Sequence, residues 1–574
     1  MIEISLTLLI ALVLAWPLAK YMALAFAATP SQIDRVFGPL ENLLYRAIGV
    51  NPAHGMTWRG YARALIGANL VLGALFFAML MLQGQLPFNP DKITGMNWDL
   101  ALHTAISFLT NTNQQHYSGQ AQLSYLSQTA GIVTLQVLTP AMGLAIALAM
   151  LRGLFGGLNA QSADGKQAHE GQPRDLGNFY VDVTRATTRV LLPLSFLLAL
   201  VLTSQGVPST FAGAQAATPV DASAGMQSQV IPLGPVASMV AIKQLGTNGG
   251  GWYGPNSAVP LENPTPISNV AQTVAIVLLP MAIVLMIAPL TGRKRLSALV
   301  FGVMAAFSLA FVTLSAISER APNAAALGLS APGANMEGKE QRFGPDASAL
   351  WSSLTTQTSN GSVNAMHDSL NPLAGGVAIS GMLINAIWGG VGCGLVGFLV
   401  YLLVGVFLSG LMIGRTPEIY GRKIEVKEIK LLSLLVILQP ILILVASAVA
   451  LQNPALTGNS NPSFHGISQV FYEYASAYAN NGSGFEGLGD ATIWWNLSAS
   501  VLLLVGRYAA LLIPLCVVGS LAVKRVAPVT PGTLNIETAT FAITLIAVIF
   551  LLTLLCFLPV LALGPVAEAL ALAG

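Results

Sequence analysis

Stretches of about 20 apolar residues alternate along the chain with shorter segments that hold most of the charge. The apolar runs lie near residues 3–27, 64–83, 129–151, 189–205, 271–290, 297–317, 377–412, 431–451, 495–523 and 538–563. A helix rises about 1.5 Å per residue, so some 20 apolar residues cross a hydrocarbon core of about 30 Å. The pattern predicts an all-α polytopic membrane protein with ten transmembrane helices. The first run ends in Ala25-Phe-Ala27, which looks like a signal-peptide cleavage site, but it carries Glu3 where a basic segment belongs. Its apolar stretch is also too long, so it reads as a retained helix. The run at 377–412 is 36 residues, too long for one straight span, and contains Gly389, Gly390, Gly392, Gly394 and Gly397. Small residues permit tight helix packing; the excess length points instead to a helix broken near 389–397 by an intramembrane loop.

Four connections contain a helix-like stretch too short to span: Trp98–Thr110, Pro235–Gly246, Asp346–Gln357 and Ile467–Ala479. Each is followed by a similar tetrapeptide: Asn111-Thr-Asn-Gln, Asn248-Gly-Gly-Gly, Asn360-Gly-Ser-Val and Asn481-Gly-Ser-Gly. Aligned on Asn, the next residues are Thr112, Gly249, Gly361 and Gly482, and the four units are separated by 137, 112 and 121 residues. An Asn-Gly pair alone marks an ordinary turn. Four of them, each after a short helix and between two spans, predict internal pseudo-fourfold symmetry. The expected units are residues 62–151, 189–291, 297–412 and 431–523, with extra helices at 1–28 and 538–563 in a single membrane domain 1–574.

Irregular backbone at membrane depth persists only where protein buries it or it lines a water-filled cavity. A half-helix aims the partial negative charge of its C-terminal end at the membrane centre. Glycine then lets the loop turn its carbonyls toward a common axis. Four such loops make a ring of oxygens that replaces the hydration shell of a monovalent cation. The expected ring draws on Asn111, Thr112, Asn113, Asn248, Gly249, Gly250, Asn360, Gly361, Ser362, Asn481, Gly482 and Ser483.

Composition narrows the class. The 574 residues are 54% hydrophobic and 9% charged, with mean hydropathy +0.68, whereas soluble proteins are about 25% charged. The net charge of +2 discriminates nothing. Cys393, Cys516 and Cys556 lie in apolar runs without metal-ligand spacing and read as buried core thiols. Segments 28–63, 152–189, 293–295, 415–430 and 524–525 hold 19 of the 26 Lys and Arg, and the alternate connections hold five. The first set is therefore cytoplasmic, which puts both termini outside. The outer segments carry twelve acidic residues, from Asp91 to Asp490; an acidic vestibule concentrates cations, although acidic outer loops are commonplace.

Several motifs resemble those of a known family. Gln244-Leu-Gly-Thr-Asn-Gly-Gly-Gly-Trp-Tyr-Gly-Pro-Asn-Ser-Ala-Val-Pro-Leu-Glu-Asn-Pro-Thr265 resembles a signature of the potassium-binding subunits of Kdp potassium-transporting ATPases. Thr110-Asn-Thr-Asn, Asn360-Gly-Ser-Val-Asn-Ala-Met-His-Asp-Ser369 and Gly414-Arg-Thr-Pro-Glu418 do likewise, and the resemblance covers essentially the whole chain. It implies four span–pore-helix–span repeats plus two helices, selecting K⁺ from outside as the transported ion. The implied recipient is a separate P-type ATPase catalytic subunit, in a complex with two small membrane subunits in a bacterial inner membrane. No nucleotide is expected on this chain, and its partners are those subunits and the lipid bilayer, not nucleic acid. Three places depart from the family pattern. Gln114-Gln-His follows the first filter segment where an aromatic is expected, Trp252-Tyr253-Gly254-Pro255 replaces Phe-Phe-Asn-Ala, and Asn385 stands where Glu is typical. The last puts in doubt a carboxylate guiding K⁺ below the filter.

Arg507 sits mid-way along the apolar run 495–523. A buried arginine there costs about 2.5–3.5 kcal/mol on insertion scales, so it reads as a fixed charge that blocks free conduction below the filter. The alternative is snorkelling to an interface. Gly389, Gly390 and Gly392 belong to a loop able to gate the same route, and Arg415 reads either as part of that gate or as a positive-inside anchor. Lys20 reads as snorkelling. His116 and His367 sit beside filter loops, where they either tune a pH response or simply hydrogen-bond neighbours, and Glu262 structures the outer mouth. There is no Gly-x-x-x-x-Gly-Lys-Ser/Thr loop, and Asp91-Lys-Ile-Thr-Gly95 echoes a phosphorylation motif only by chance. The chain is thus expected to be non-catalytic by itself. The competing reading is a stand-alone K⁺ channel or symporter of the Trk/Ktr/HKT type.

Overall fold

A computed structural model describes residues 2–27, 31–155, 175–221, 223, 225–323, 325, 333–528 and 534–573. Residues 28–30 and 156–174, which hold the last residue of the expected extra helix 1–28 and part of the basic 152–189 connection, lie outside the described residues. The spanning helix α1 (Ile2–Phe26) is followed by a shorter α2 (Gln32–Ala47). Next come α3 (Trp58–Gln85), the short α4 (Trp98–Leu109) and α5 (Ser127–Phe155). The same order recurs in α6 (Phe179–Ser204), the short α7 (Val236–Leu245) and α8 (Pro266–Thr291). It recurs again in α9 (Lys294–Glu319), the short α10 (Gly344–Gln357) and a helix pair, α11 (Pro372–Ile384) and α12 (Cys393–Met412). A fourth set is α13 (Val426–Leu451), the short α14 (Ser463–Tyr478) and α15 (Ile493–Ala522), and α16 (Ala539–Leu572) follows. Ten helices among the described residues are long and apolar enough to cross a membrane, so the chain is a multi-pass membrane protein.

Local chemistry sets many of these starts. Thr57, Thr265, Thr492 and Thr538 each accept a hydrogen bond from the amide three residues on, at the first turn of α3, α8, α15 and α16. Threonine at this position satisfies an amide that has no partner within the helix. The short α14 begins directly after Pro462, four residues before the expected Ile467, and α10 begins at Gly344 rather than Asp346. The most hydrophobic 18-residue stretches of α5 and α8 are 83% and 78% buried, against 17% for α13. The first two therefore form the interior, and the last lies at the periphery.

The long run at 377–412 is broken. α11 ends at Asn385 in a left-handed conformation (φ 46°), and the chain passes Gly389 and Gly392, both left-handed, before α12. The break spans 385–392, so Gly394 and Gly397 lie within α12 rather than in the loop. Among the bonds that hold the loop, the Gly389 amide donates to Gln357 O at 2.8 Å and the Val391 amide to Thr247 Oγ1 at 3.0 Å.

Candidate functional site

The four loops after α4, α7, α10 and α14 share one backbone pattern. Each has two left-handed residues flanking one other: Asn111 and Asn113, Thr247 and Gly249, Ser359 and Gly361, Asn480 and Gly482. The residue between them donates its amide back to the helix end. These bonds are Thr112 to Ser107 O (3.0 Å), Asn248 to Lys243 O (2.9 Å), Asn360 to Thr355 O (3.0 Å) and Asn481 to Ser476 O (2.9 Å). The equivalent residues are therefore Thr112, Asn248, Asn360 and Asn481. This corrects the alignment of Asn111 with Asn248 and of Thr112 with Gly249: the first spacing is 136 residues. The slip has a physical origin. Asparagine tolerates the left-handed region better than other residues with a side chain, so Asn113 occupies the place that glycine holds in the other three loops.

The loops interlock in a cycle. A Cβ on Gly249 would overlap the Asn360 carbonyl oxygen, one on Gly361 that of Asn481, and one on Gly482 that of Thr112. Asn113 closes the cycle, since its Cβ would lie 2.7 Å from one built on Gly250. The asparagine side chains act between loops. Asn360 Nδ2 donates to Lys243 O (3.1 Å), Asn481 Nδ2 to Thr355 O (2.8 Å), Asn248 Nδ2 to Asn111 Oδ1 (2.7 Å) and Asn480 Nδ2 to Thr112 Oγ1 (3.0 Å). Thr112, Asn248, Asn360 and Asn481 are fully buried. Among the described residues no hydrogen bond ends on the carbonyl oxygen of any of these four. A buried polar group without a partner costs about 1–3 kcal/mol. A desolvated cation is a ligand that relieves four such groups together.

Three flanking carbonyls are tied back, whereas among the described residues no hydrogen bond ends on Asn113 O, Gly361 O or Gly482 O. Gly249 O accepts from Asn256 Nδ2 (2.7 Å), Gly250 O from Gln136 Nε2 (2.9 Å) and Ser362 O from Trp351 Nε1 (2.8 Å). The brace behind Gly249 is ionic: Asn256 Oδ1 accepts from Lys243 Nζ at 2.5 Å, and Lys243 pairs with Glu262, both fully buried. Glu262 Oε1 also accepts the Tyr253 amide at 3.0 Å. Removing one partner of a buried pair costs about 3–5 kcal/mol. Lys243→Met is therefore expected to lower the thermal unfolding midpoint more than Lys243→Met with Glu262→Gln, which leaves no isolated charge. Equal midpoints for the two in a melt of the solubilised protein would show that the pair is not what holds this loop.

On the side from which the short helices enter lies a mouth of about 800 Å³. Residues after all four loops line it, including Gln115, Pro255, Val363 and Glu486. Gln115 clasps loop two, donating to Gly251 O (3.0 Å) and accepting the Gly251 amide (2.8 Å). Gln114 bonds Glu473 on α14, and His116 bonds Asn496 (2.8 Å) and Glu473 (3.4 Å) while stacking on His103 at 3.8 Å. The departure at Gln114-Gln-His thus builds cross-links where an aromatic was expected. Burial pushes the carboxyls of Glu486 and Asp490 up to about 7 and about 6. For His116, burial favours the neutral ring, but Asp490 and Glu473 outweigh it and raise its pKa. His367 differs: burial, then Lys339, lower it to about 3, and it stays neutral against Tyr472. The stabilisation from charged His116 is complete below the ordinary imidazole value of about 6.5 and is lost as pH rises through the raised value. The melting difference between the unaltered chain and His116→Gln is accordingly expected to shrink as pH rises from about 6 to 9. A difference that grows with pH would reverse the sign and remove His116 from this role.

Beneath the loops is a cavity of about 70 Å³, lined by Asn111, Ser359, Asn480, Asn385, Gly390, Cys393 and Arg507. Arg507, on α15, is 6% exposed; it donates to Cys393 Sγ at 3.0 Å and to Thr139 O at 3.1 Å. It points into the cavity rather than to an interface. Asn385 faces the same space, accepting from Ser359 Oγ at 2.8 Å. Arg415 is exposed in the turn after α12 and does not line this cavity. Lys20 is exposed, with Nζ 5.4 Å from the Trp16 ring centroid. The cysteines are free but only half-buried, so the expectation of fully buried thiols fails, and Cys393 is a cavity residue.

Ser107, Gln136, Lys243, Thr247, Ser359, Glu473 and Asn480 belong to this site and are not marked by the sequence motifs. With the corrected register, Thr247, Ser359 and Asn480 emerge as the counterparts of Asn111. The others carry no local signal, since each acts through a bond to a loop more than 100 residues away or to the backbone of its own loop.

Comparison with known proteins supplies a family. A family described as KdpA, potassium-transporting ATPase A subunit, matches residues 5–570. A protein of Gloeobacter violaceus named potassium-transporting ATPase potassium-binding subunit is 47% identical, over 99% of this chain and 98% of that one. Proteins of the same name from Nostoc sp. and Geobacillus kaustophilus are 43% and 42% identical, over 100% and 99% of this chain and 99% and 98% of theirs. Among solved structures, the potassium transporter TrkH from Vibrio parahaemolyticus aligns with a TM-score of 0.48 at 14% identity, covering 89% of this chain and 97% of that one.

Proposed function

The chain belongs to the potassium-transporting ATPase A subunit family, and we propose that it is the K⁺-selecting, channel-like subunit of an ATP-driven uptake pump. It is not itself the ATPase; hydrolysis resides in a separate P-type subunit, accompanied by two small membrane subunits. One observation carries this reading: four buried carbonyl oxygens, of Thr112, Asn248, Asn360 and Asn481, that no described donor reaches. K⁺ sheds its water against that ring, and the C-terminal ends of α4, α7, α10 and α14 add negative potential there.

The four span–short helix–loop–span sets form pseudo-symmetric repeats, with α1 and α16 outside them. In the corrected register the filter comprises residues 112–114, 248–250, 360–362 and 481–483, with Gln114 taking the place expected for Asn111, which lines the cavity beneath. With 19 of the 26 Lys and Arg on one side, the short helices enter from the periplasmic face of the bacterial inner membrane, and both termini lie there. Ionised carboxyls at the mouth, Asp490 before Glu486 as pH rises, collect cations. Below the ring the ion meets the cavity closed by Arg507 and the loop 385–392, and from there it turns toward the partner subunit.

The test is ATP hydrolysis by the complex purified gently through this chain, measured as K⁺ is titrated. K⁺-stimulated hydrolysis that travels with the chain supports the pump. Absence of hydrolysis, with passive K⁺ flux through the isolated chain in liposomes, would establish the stand-alone channel instead.

A further inference from the structure

Helix α2 divides into three longitudinal faces. At 3.6 residues per turn, Val36, Leu40, Leu43, Leu44 and Ile48 fall on one stripe, and each is 38–72% exposed. Asp34, Glu41 and Tyr45 fall on the face turned to the protein, where Glu41 and Tyr45 are buried. Arg35 and Arg46 share the third flank, near opposite ends of the helix, and both are exposed. This inverts the usual arrangement of a helix on a globular surface, which turns its apolar face inward.

The depth of α2 is fixed by Arg189, which opens the apolar run of α6 and so lies where the hydrocarbon core begins. Its Nη1 donates to Ala25 O at the end of α1 (2.9 Å), while Nε and Nη2 bind Glu41 (2.7 and 2.6 Å) and Nη2 also binds Asp34 (2.8 Å). Thr188 Oγ1 adds a bond to Glu41 at 2.9 Å. The charged face of α2 is thereby clamped to the protein at the level where α1 leaves the membrane, and the stripe is left facing the acyl-chain boundary.

We propose that α2 is an interfacial helix: its Val36–Ile48 stripe inserts among the acyl chains of the leaflet where α1 ends, and Arg35 and Arg46 hold anionic phospholipid headgroups. Charge complementarity selects the occupant. An apolar stripe together with two exposed guanidinium groups, at the depth of the headgroups, matches an anionic lipid. The proposal stands apart from the transport reading.

The test places a photo-reactive benzophenone side chain at Leu43 in the intact complex in native membranes, with Leu555 on α16, 81% exposed, as a lipid-facing reference. Adducts are identified by mass. Both sites are expected to yield phospholipid adducts, with the anionic fraction at Leu43 at least about threefold that at Leu555. That excess is expected to vanish in Arg35→Gln with Arg46→Gln. A cross-link from Leu43 to another polypeptide would make the stripe a subunit interface and overturn the proposal, as would no adduct at Leu43 while Leu555 reacts. An equal anionic fraction at both sites would overturn the headgroup recognition.

Discussion

Replacing Gly361 by alanine is expected to lower the apparent K⁺ affinity of transport by roughly 30- to 150-fold, equivalent to about 2–3 kcal/mol, while leaving the protein folded. Two effects combine. The residue has φ 84°, in the left-handed half of conformational space that costs a residue with a side chain about 1–2 kcal/mol. The added Cβ also overlaps the Asn481 carbonyl oxygen, one of the four ring oxygens. The methyl group has no free space on that side, so either loop three or the Asn481 carbonyl must move, and the arrangement of the four oxygens is disturbed. Gly361→Asp adds a carboxylate at the same point and is expected to weaken discrimination among K⁺, Rb⁺ and Na⁺ as well. The atoms nearest the added Cβ belong to loop four rather than to a span, so assembly should survive. Titrating ATP hydrolysis by the purified complex with each cation checks both. Unchanged affinity together with unchanged discrimination in both variants would falsify the assignment of this ring as the filter.

Much of this geometry was legible in the sequence because two different signals agreed. Hydropathy alone located the ten spans and the excess length at 377–412, since about 20 apolar residues have few other uses. The short helices showed through the recurrence of Asn-Gly after them, with starts off by at most four residues. What failed was the register of the first loop, where asparagine does the conformational work of glycine and a match of residue names misaligned the set by one. Amphipathic α2 was passed over because its mixed composition reads as a polar connection; only the clamp by Arg189, some 150 residues later in the chain, reveals which face is turned outward. The buried braces were equally hidden. Lys243 is an unremarkable lysine in sequence, and nothing local says that Glu262 will meet it across a loop. Glu262 was expected to structure the outer mouth, and its full burial against Lys243 and Tyr253 supplies the means.

The second large effect is expected at Arg507. Replacing it by alanine should open a passive K⁺ leak about 100-fold above that of the unaltered complex, with ATP hydrolysis continuing without net uptake. The magnitude follows from the field of one charge: at about 6 Å and an effective dielectric constant of about 20, a monovalent cation is repelled by roughly 3 kcal/mol. Every factor of ten in the leak corresponds to about 1.4 kcal/mol, so removing that repulsion accounts for about two decades. The charge acts at full strength here because no carboxylate lines the cavity among the described residues, and its contacts are a thiol and a backbone carbonyl. Folding is not endangered by the change, since an arginine at this depth costs the span energy rather than supplying it. Arg507→Lys, which keeps the charge, should retain most of the block. K⁺ efflux from liposomes containing the complex, without ATP, measures both. A tight, fully coupled Arg507→Ala complex would place the barrier elsewhere on the route, with the loop 385–392 the remaining element facing the cavity.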